Sequence, residues 1–163
     1  MPGCGKSTFG RKVAAELNLE FIDLDKEIVN EEQMLITDIF ESKGENYFRD
    51  VESRLLKEIS TGHDNFVMAT GGGAPCFFNN MDFMNDQGET IFIDTPVDII
   101  LTRMSSNGIN KRPLIKRMEQ DNLYNGLSEK LKQRLPFYKK AKVIVKFNLT
   151  LEKDIIRYIH SVS

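Results

Sequence analysis

The sequence predicts an α/β fold, a three-layer α/β/α sandwich in which helices cover both faces of a parallel sheet. Helical and strand patterns alternate along the 163 residues without an internal repeat or a linker, and this alternation is typical of the class. The strand patterns are short, continuous apolar runs, as expected for strands buried on both faces. The length fits one domain over residues 1–163.

The individual elements follow from local spacing and from residues that start or stop helices. A first helix is predicted over residues 5–17, because Phe9, Val13 and Leu17 recur at helical spacing. Residues 105–117 are polar, basic and interrupted by glycine and proline, which indicates a mobile lid. Strands are predicted at residues 20–24, 66–70, 90–94 and 142–147, and further helices at residues 36–44, 45–60 and 80–87, from Pro96, over 119–135 and from Thr150.

The composition excludes several functional classes. No apolar run approaches the roughly 20 residues that span a bilayer, and the net charge of -2 gives no electrostatic reason for a nucleic-acid or membrane partner. No signal peptide or cysteine framework is visible, so we expect a cytoplasmic protein without disulfides. His63 and His160 lack Cys or His at metal-ligand spacing, and we expect both at the surface.

The N-terminal residues form most of a phosphate-binding P-loop motif. Its glycines let backbone N–H groups curve around phosphates, and the following helix directs its positive dipole end at them. Lys6 would reach the β and γ phosphates of a nucleotide, and the Ser7 hydroxyl can bind Mg²⁺. In the complete motif the first glycine would fall one residue before Met1. The motif residues present are Gly3, Cys4, Gly5, Lys6, Ser7 and Thr8.

Two aspartates close the first visible strand. Asp23 and Asp25 stand at its carboxyl end, and strand alternation predicts that both carboxylates lie on one side. Ligands of open α/β sheets bind beyond the carboxyl ends of the strands. One carboxylate can therefore approach a Mg²⁺ ion while the other accepts a hydrogen bond from a substrate hydroxyl.

Three glycines and three arginines complete the candidate site. The glycines at residues 71–73 follow the strand at residues 66–70, where they would let the backbone approach a ligand closely. Arg49, Arg112 and Arg134 carry planar guanidinium groups that fit a carboxylate or a phosphate. Their convergence on one pocket would indicate an anionic substrate beside ATP.

In this order and spacing the residues resemble the shikimate kinases, a family of the P-loop nucleoside monophosphate kinase-like class, over essentially the whole chain. The resemblance implies a five-stranded parallel sheet, of which four strands are visible, and transfer of the γ-phosphoryl group of ATP to the 3-hydroxyl of shikimate in aromatic amino acid biosynthesis. ATP and Mg²⁺ would be the cofactors, and the enzyme would be a monomer. The matching segments are residues 3–8, 21–25, 48–52, 71–74, 112–114 and 134–138.

For the nucleotide, the resemblance implies that Lys6 and the lid residue Arg112 neutralise charge on the transferring phosphoryl group. Ser7 would bind Mg²⁺ directly and Asp23 through a metal-bound water, while Arg103 would stack on the adenine. The residues implied in ATP binding are Gly3, Cys4, Gly5, Lys6, Ser7, Thr8, Arg103 and Arg112.

For the substrate, the resemblance implies that Arg49 and Arg134 bind the shikimate carboxylate and that the catalytic Asp25 binds its hydroxyls. Phe40 and Phe48 would form walls of the pocket. The residues implied in substrate binding are Asp25, Phe40, Phe48, Arg49, Gly71, Gly72, Gly73 and Arg134.

Two other functions stay open at this point. Another small-metabolite kinase, such as a gluconate kinase, shares the P-loop, the strand-end aspartate and a basic lid, although the three glycines argue against it. An inactive, truncated nucleotide-binding fragment also fits, because a strand before the P-loop is missing. We expect about ten further residues before Met1, forming an apolar strand that ends in the first P-loop glycine. The resemblance implies that this strand lies between those at residues 66–70 and 90–94.

Overall fold

The structure is a computed structural model that describes residues 1–106, 113–147 and 151–162. Helices and strands alternate in it as predicted. The helices are α1 (Lys6–Glu16), α2 (Leu24–Glu32), α3 (Ile36–Ser42), α4 (Gly44–Gly62), α5 (Asn80–Gln87), α6 (Val97–Ser106), α7 (Pro113–Tyr138) and α8 (Leu151–Val162), with a 3₁₀ helix at Ala74–Cys76. The strands are β1 (Glu20–Asp23), β2 (Phe66–Ala69), β3 (Ile91–Asp94) and β4 (Val143–Lys146).

The four strands form two parallel pairs. In the first pair Glu20 of β1 lies opposite Phe66 of β2, and in the second Ile91 of β3 lies opposite Val143 of β4. Among the described residues no backbone ladder joins β2 to β3. The prediction of short parallel strands is confirmed. Helix α7 extends beyond its predicted range of 119–135, because it begins at Pro113 inside the expected lid.

Buried apolar side chains of α2, α3 and α4 hold α4 in place. Leu24 and Ile28 of α2 and Ile39 of α3 are fully buried against Leu56 of α4. Burial of one such side chain stabilises the fold by roughly 1.5 to 3 kcal/mol. The charged residues of α4 are therefore carried on a well-packed helix.

Helix α1 packs closely on the first strand pair. A Cβ added at Gly10 would lie 2.7 Å from the Phe21 ring of β1, so only glycine permits this approach. Within the described ranges, no helix is long and apolar enough to cross a membrane. Cys4 and Cys76 are both free thiols.

An apolar cavity of about 430 Å³ lies at the gap between the two strand pairs. Val67 of β2 and Phe92 of β3 contribute to its lining. Met1 also lines it and lies beside Gly72, which follows the carboxyl end of β2. A strand fused ahead of Met1 would therefore enter the gap parallel to β2 and β3.

We expect that fusing five apolar, β-branched residues and a glycine directly ahead of Met1 raises the Tm by roughly 5 °C or more. The added strand would pair backbone groups along β2 and β3, and each new hydrogen bond contributes about 1 kcal/mol, which is about 2 to 4 °C at this chain length. Thermal melts followed by circular dichroism measure the shift. A glycine- and serine-rich extension of equal length is the control, and equal melts for both extensions would rule out strand pairing in the gap.

Candidate active site

The P-loop has the backbone that phosphate binding requires. Gly3 and Gly5 have positive φ angles of 69° and 99°, which glycine adopts without steric cost. Gly5 is the N-cap of α1, so the free N–H groups of the first helical turn point out of the helix end. The ammonium group of Lys6 donates to the Met1 carbonyl at 3.1 Å and lies 4.0 Å from Cys4 Sγ. Lys6 thus folds back over the loop.

Two side chains from the second half of the fold support this loop. Thr95 Oγ1 donates to the Cys4 carbonyl at 3.4 Å, and Arg103 Nη1 donates to the same carbonyl at 2.9 Å. The Arg103 guanidinium also lies 4.5 Å from the ring centroid of Phe147. Sequence reasoning missed Thr95 because nothing local links it to Cys4. The predicted stacking of Arg103 on adenine stays a prediction, and in this structure the residue supports the loop.

Asp25 lies in a helix, whereas the sequence predicted that it follows directly on a strand. The predicted strand at residues 20–24 ends at Asp23, and Leu24 already begins α2, so the expected alternation along one strand is wrong for this pair. Leu24 and Ile28 are fully buried one helical turn apart, which favours a helix over a longer strand. The strand–helix junction still brings the two carboxylates together.

The pKa of Asp25 is raised above its ordinary value of 3.8, first by burial and then by the negative charge of Asp23. Lys6 and Arg49 lower it in part. These four charges therefore share one site. A carboxylate with a raised pKa is a better proton acceptor than one in water, which suits a general base.

Helix α4 presents a buried ion pair to the site. Arg49 Nη1 donates to Glu52 Oε2 at 2.6 Å, and the two residues are 7% and 1% exposed. Arg49 Nε and Nη2 donate to Glu45 Oε1 at 3.2 and 3.0 Å. Burial raises the pKa of Glu52 while Arg49 lowers it. Glu52 Oε1 has no hydrogen-bond partner among the described residues.

Glu52 is a site residue that sequence reasoning missed. It lies one helical turn after Arg49, on a helix whose other inward positions include Val51, Leu55 and Leu56. A glutamate among buried apolar residues is rarely tolerated without a partner. That pattern was the available signal, and it points to an ion pair with Arg49.

Phe40 and Phe48 lie beside this arginine, and their expected role as walls of the substrate pocket stays a prediction. Their ring centroids are 4.7 Å apart. The Arg49 guanidinium carbon lies 5.0 Å from the Phe48 centroid and 6.0 Å from that of Phe40. The two rings therefore lie next to each other and next to the guanidinium.

The three glycines at residues 71–73 make room for charged side chains. A Cβ on the first would collide with Glu52 Oε1, one on the second would lie 3.2 Å from Arg134 Nη1, and one on the third 2.5 Å from both terminal nitrogens of Arg49. Close approach of this backbone was predicted toward a ligand. In the structure the glycines lie against Arg49 and Arg134, which were expected to hold the ligand, and against Glu52, which was not.

Arg134 reaches the same loop from α7. It lies half-buried one turn before Tyr138, whose hydroxyl donates to the Gly72 carbonyl at 2.5 Å. Burial raises the pKa of Tyr138 to about 12, so this hydroxyl remains a donor at neutral pH. Arg134 and Arg49 therefore converge on one loop, whereas Arg112 and residues 107–111 of the predicted lid lie outside the described residues.

The shikimate kinase family model matches residues 2–162 of the chain. The chain belongs to the shikimate kinase family. The shikimate kinase of Phocaeicola vulgatus is 39% identical over 144 residues, which are 88% of this chain and 81% of that protein. The shikimate kinase of Clostridium botulinum is 43% identical over 147 residues, 89% of this chain and 83% of that protein.

Solved structures of shikimate kinases share the fold. The crystal structure of the enzyme from Bacteroides thetaiotaomicron has a TM-score of 0.84 at 33% identity and covers 99% of this chain and 93% of its own. The enzyme from Acinetobacter baumannii in complex with shikimate has a TM-score of 0.78 at 33% identity, covering 98% and 87%. The predicted family, the α/β fold class and the class of ATP-dependent small-molecule kinase are confirmed. The roles of individual residues stay predictions.

We expect that Asp25→Asn stabilises the folded protein at pH 7. The native pKa of Asp25 lies above its unfolded value, so folding disfavours the charged form. Stability is then lost as pH rises from the unfolded pKa through the native pKa, and it stays lost above that interval. The variant should have a higher Tm than the wild type at pH 7, and the difference should shrink toward pH 4. A difference independent of pH would contradict the raised pKa.

We expect that Gly73→Ala weakens shikimate binding about tenfold or more, because the new Cβ displaces the Arg49 guanidinium from a charge-assisted contact. The backbone at Gly73, with φ -93° and ψ -26°, suits alanine, so the effect is steric. Isothermal titration calorimetry measures it. Gly126→Ala on α7, where a Cβ meets nothing within 4 Å, is the control and should bind like the wild type. Equal affinities for both variants would contradict the crowding at Gly73.

Proposed function

We propose that this chain is an active shikimate kinase that transfers the γ-phosphoryl group of ATP to the 3-hydroxyl of shikimate. The observation that carries the proposal is the convergence of Asp25, Arg49 and Arg134 on the glycines at residues 71–73, beside a P-loop with Lys6 folded over it. A carboxylate and two guanidinium groups match a hydroxylated carboxylic acid. Membership of the family supplies the reaction.

The P-loop would hold the phosphates of ATP. Its backbone amides at the start of α1 and the ammonium group of Lys6 supply donors and positive charge. Cys4, Ser7 and Thr8 lie in the same loop and first turn. The contacts that Lys6 makes with Met1 and Cys4 would give way to contacts with phosphate oxygens.

Ser7 and Asp23 fit a magnesium site. Their hydroxyl and carboxylate are hard oxygen donors, and Mg²⁺ is usually held by one or two such groups together with phosphates and water. Ser7 would bind the ion directly and Asp23 through water. When bound, the ion would neutralise charge on the phosphates.

Arg49 and Arg134 would bind the shikimate carboxylate. Glu45 and Glu52 accept three of the five N–H groups of the Arg49 guanidinium, which leaves one on each terminal nitrogen for the substrate. Arg134 would add a second guanidinium from α7. Phe40 and Phe48 would pack against the ring of the substrate.

Asp25 would orient the reacting hydroxyl and accept its proton. The oxygen of that hydroxyl attacks the γ-phosphorus, the bond from the γ-phosphorus to the bridging oxygen breaks, and ADP leaves with that oxygen. Phosphoryl transfer depends on alignment and on neutralised charge. Lys6 supplies positive charge from the described part of the site, and Arg112 in the segment at residues 105–117 would add more when that lid closes and excludes water.

The remaining features of the proposal concern the whole protein. We propose one P-loop kinase domain over residues 1–163 that acts as a cytoplasmic monomer, with shikimate as its partner and without a nucleic-acid or membrane partner.

ATP turnover in a coupled assay, with shikimate and gluconate side by side, tests the activity. Turnover with shikimate alone is expected. Turnover with gluconate alone would overturn the proposal in favour of a gluconate kinase, and turnover with neither would favour an inactive nucleotide-binding fragment.

We expect that Arg49→Ala and Arg134→Ala each raise the KM for shikimate by tenfold or more and leave the KM for ATP within about twofold, because a lost charge-assisted hydrogen bond costs about 1.5 to 3 kcal/mol. Lysine at either position should restore only part of the affinity, since it lacks the planar fork. Steady-state kinetics separates the two constants. Arg54→Ala, which removes an exposed arginine of α4 paired with Glu31 and Glu58, is the control. A raised KM for ATP with normal shikimate kinetics would place the arginine elsewhere.

A further inference from the structure

A third aromatic ring lies on Arg49. The guanidinium carbon is 4.6 Å from the ring centroid of Phe77, closer than to Phe48 or Phe40. Phe77 follows the 3₁₀ helix at Ala74–Cys76 and is 36% exposed. The arginine that would bind the substrate carboxylate is therefore enclosed by rings from three separate segments.

A buried polar network holds the segment that carries Phe77. Asn80 is fully buried and donates from Nδ2 to the Ala74 carbonyl at 3.0 Å. It accepts a hydrogen bond from Ser53 Oγ at 2.7 Å, and its backbone N–H donates to the Phe77 carbonyl at 2.9 Å. Ser53 lies on α4, one turn after Arg49. The network thus ties the segment to the helix that carries the arginine.

The backbone just after Phe77 is strained. Phe78 and Asn79 have φ angles of 51° and 56°, a left-handed conformation that is an outlier for a bulky aromatic residue. Such strain persists where the surrounding structure enforces it, and it clusters at functional sites. The turn is enforced here by Asn80, which anchors its far end.

We propose that Phe77 is a positioning residue that holds the Arg49 guanidinium in the plane in which it binds the substrate carboxylate. A cation is attracted to the face of an aromatic ring. The N–H donors of a guanidinium lie in its plane, so rings against its faces restrain it without occupying donors. Glu45 and Glu52 accept hydrogen bonds at two edges of that plane, and one N–H group on each terminal nitrogen would remain for the substrate carboxylate.

The inference rests on the proposed function and adds a residue that the resemblance did not include. Its consequence is selectivity. A restrained guanidinium favours a planar carboxylate in one orientation, and it should discriminate against a ligand in which that carboxylate is esterified.

Phe77→Leu, Phe77→Tyr and Phe78→Leu form the test set. Leucine keeps apolar bulk but removes the π face, so Phe77→Leu should raise the KM for shikimate roughly 3- to 10-fold while kcat and the KM for ATP stay within about twofold. Phe77→Tyr should behave like the wild type. Phe78→Leu alters the neighbouring ring, which is 52% exposed, and is the matched control. Thermal melts establish that each variant is folded.

A double-mutant cycle separates positioning from general packing. The dissociation constants of shikimate and of its methyl ester are measured by calorimetry for the wild type, Phe77→Leu, Arg49→Ala and the double variant. We expect Phe77→Leu to reduce the preference for the acid over the ester, and to have no further effect once Arg49 is absent. An equal effect in both backgrounds, or an equal effect of Phe77→Leu and Phe78→Leu, would overturn the role of Phe77.

Wild-type turnover of shikimate is measured first, and it distinguishes the two proposals. Normal turnover with no effect of Phe77→Leu would overturn the inference and leave the proposed function intact. Neither binding nor turnover of shikimate by the wild type would overturn both.

Discussion

The buried ion pair between Arg49 and Glu52 is the constraint on which the rest of the site depends. Two charges with less than a tenth of their surface exposed lose most of their hydration, and such a pair commonly contributes little net stability. It also dictates the backbone opposite, because a Cβ at Gly71 or Gly73 would strike one of its members. The glycines are thus explained by the ion pair as much as by a ligand.

The same crowding sets the electrostatics of the site. Burial raises the pKa of both Asp25 and Glu52, so each carboxylate is held charged at a cost to the folded state. Lys6 and Arg49 offset part of that cost at Asp25. In the proposed function, a bound carboxylate or phosphate would give these cations a further partner. Active sites commonly trade stability for function in this manner.

Local patterns accounted for most of the elements and part of the site. Glycines followed by Lys6, and short apolar runs such as residues 66–70, carry their structural meaning in a few neighbouring residues. Helix α2 was missed because Leu24 continues the apolar run of β1 in the sequence. The reason for a helix there lies in the tertiary packing, where Leu24 and Ile28 are buried in one cluster with residues of α4. Glu52 left a weak local signal.

Long-range contacts explain what sequence reasoning did not find. Thr95 bonds to a carbonyl 91 positions away, and Phe77 contacts Arg49 from a segment that Asn80 ties to α4. No spacing rule contains such pairs. The sequence predicted the parts of the site whose residues lie within one motif. It did not predict contacts between residues that are distant in the sequence.

The strand pair β1 and β2 and the strand pair β3 and β4 support different parts of the site. The groups assigned to shikimate lie mainly on α2, α4 and the glycines after β2. The P-loop is held by Thr95, which directly follows β3, and by Arg103 of α6. Tyr138 connects the two strand pairs. Its ring centroid lies 5.0 Å from that of Phe92 on β3, and its hydroxyl donates to the carbonyl of Gly72, which follows β2. A displacement of about 1 Å between reacting groups can cost a hundredfold in rate. The alignment of phosphate donor and acceptor therefore depends on the spacing between β2 and β3, because Lys6, Gly71 and Gly72 line the cavity at that gap.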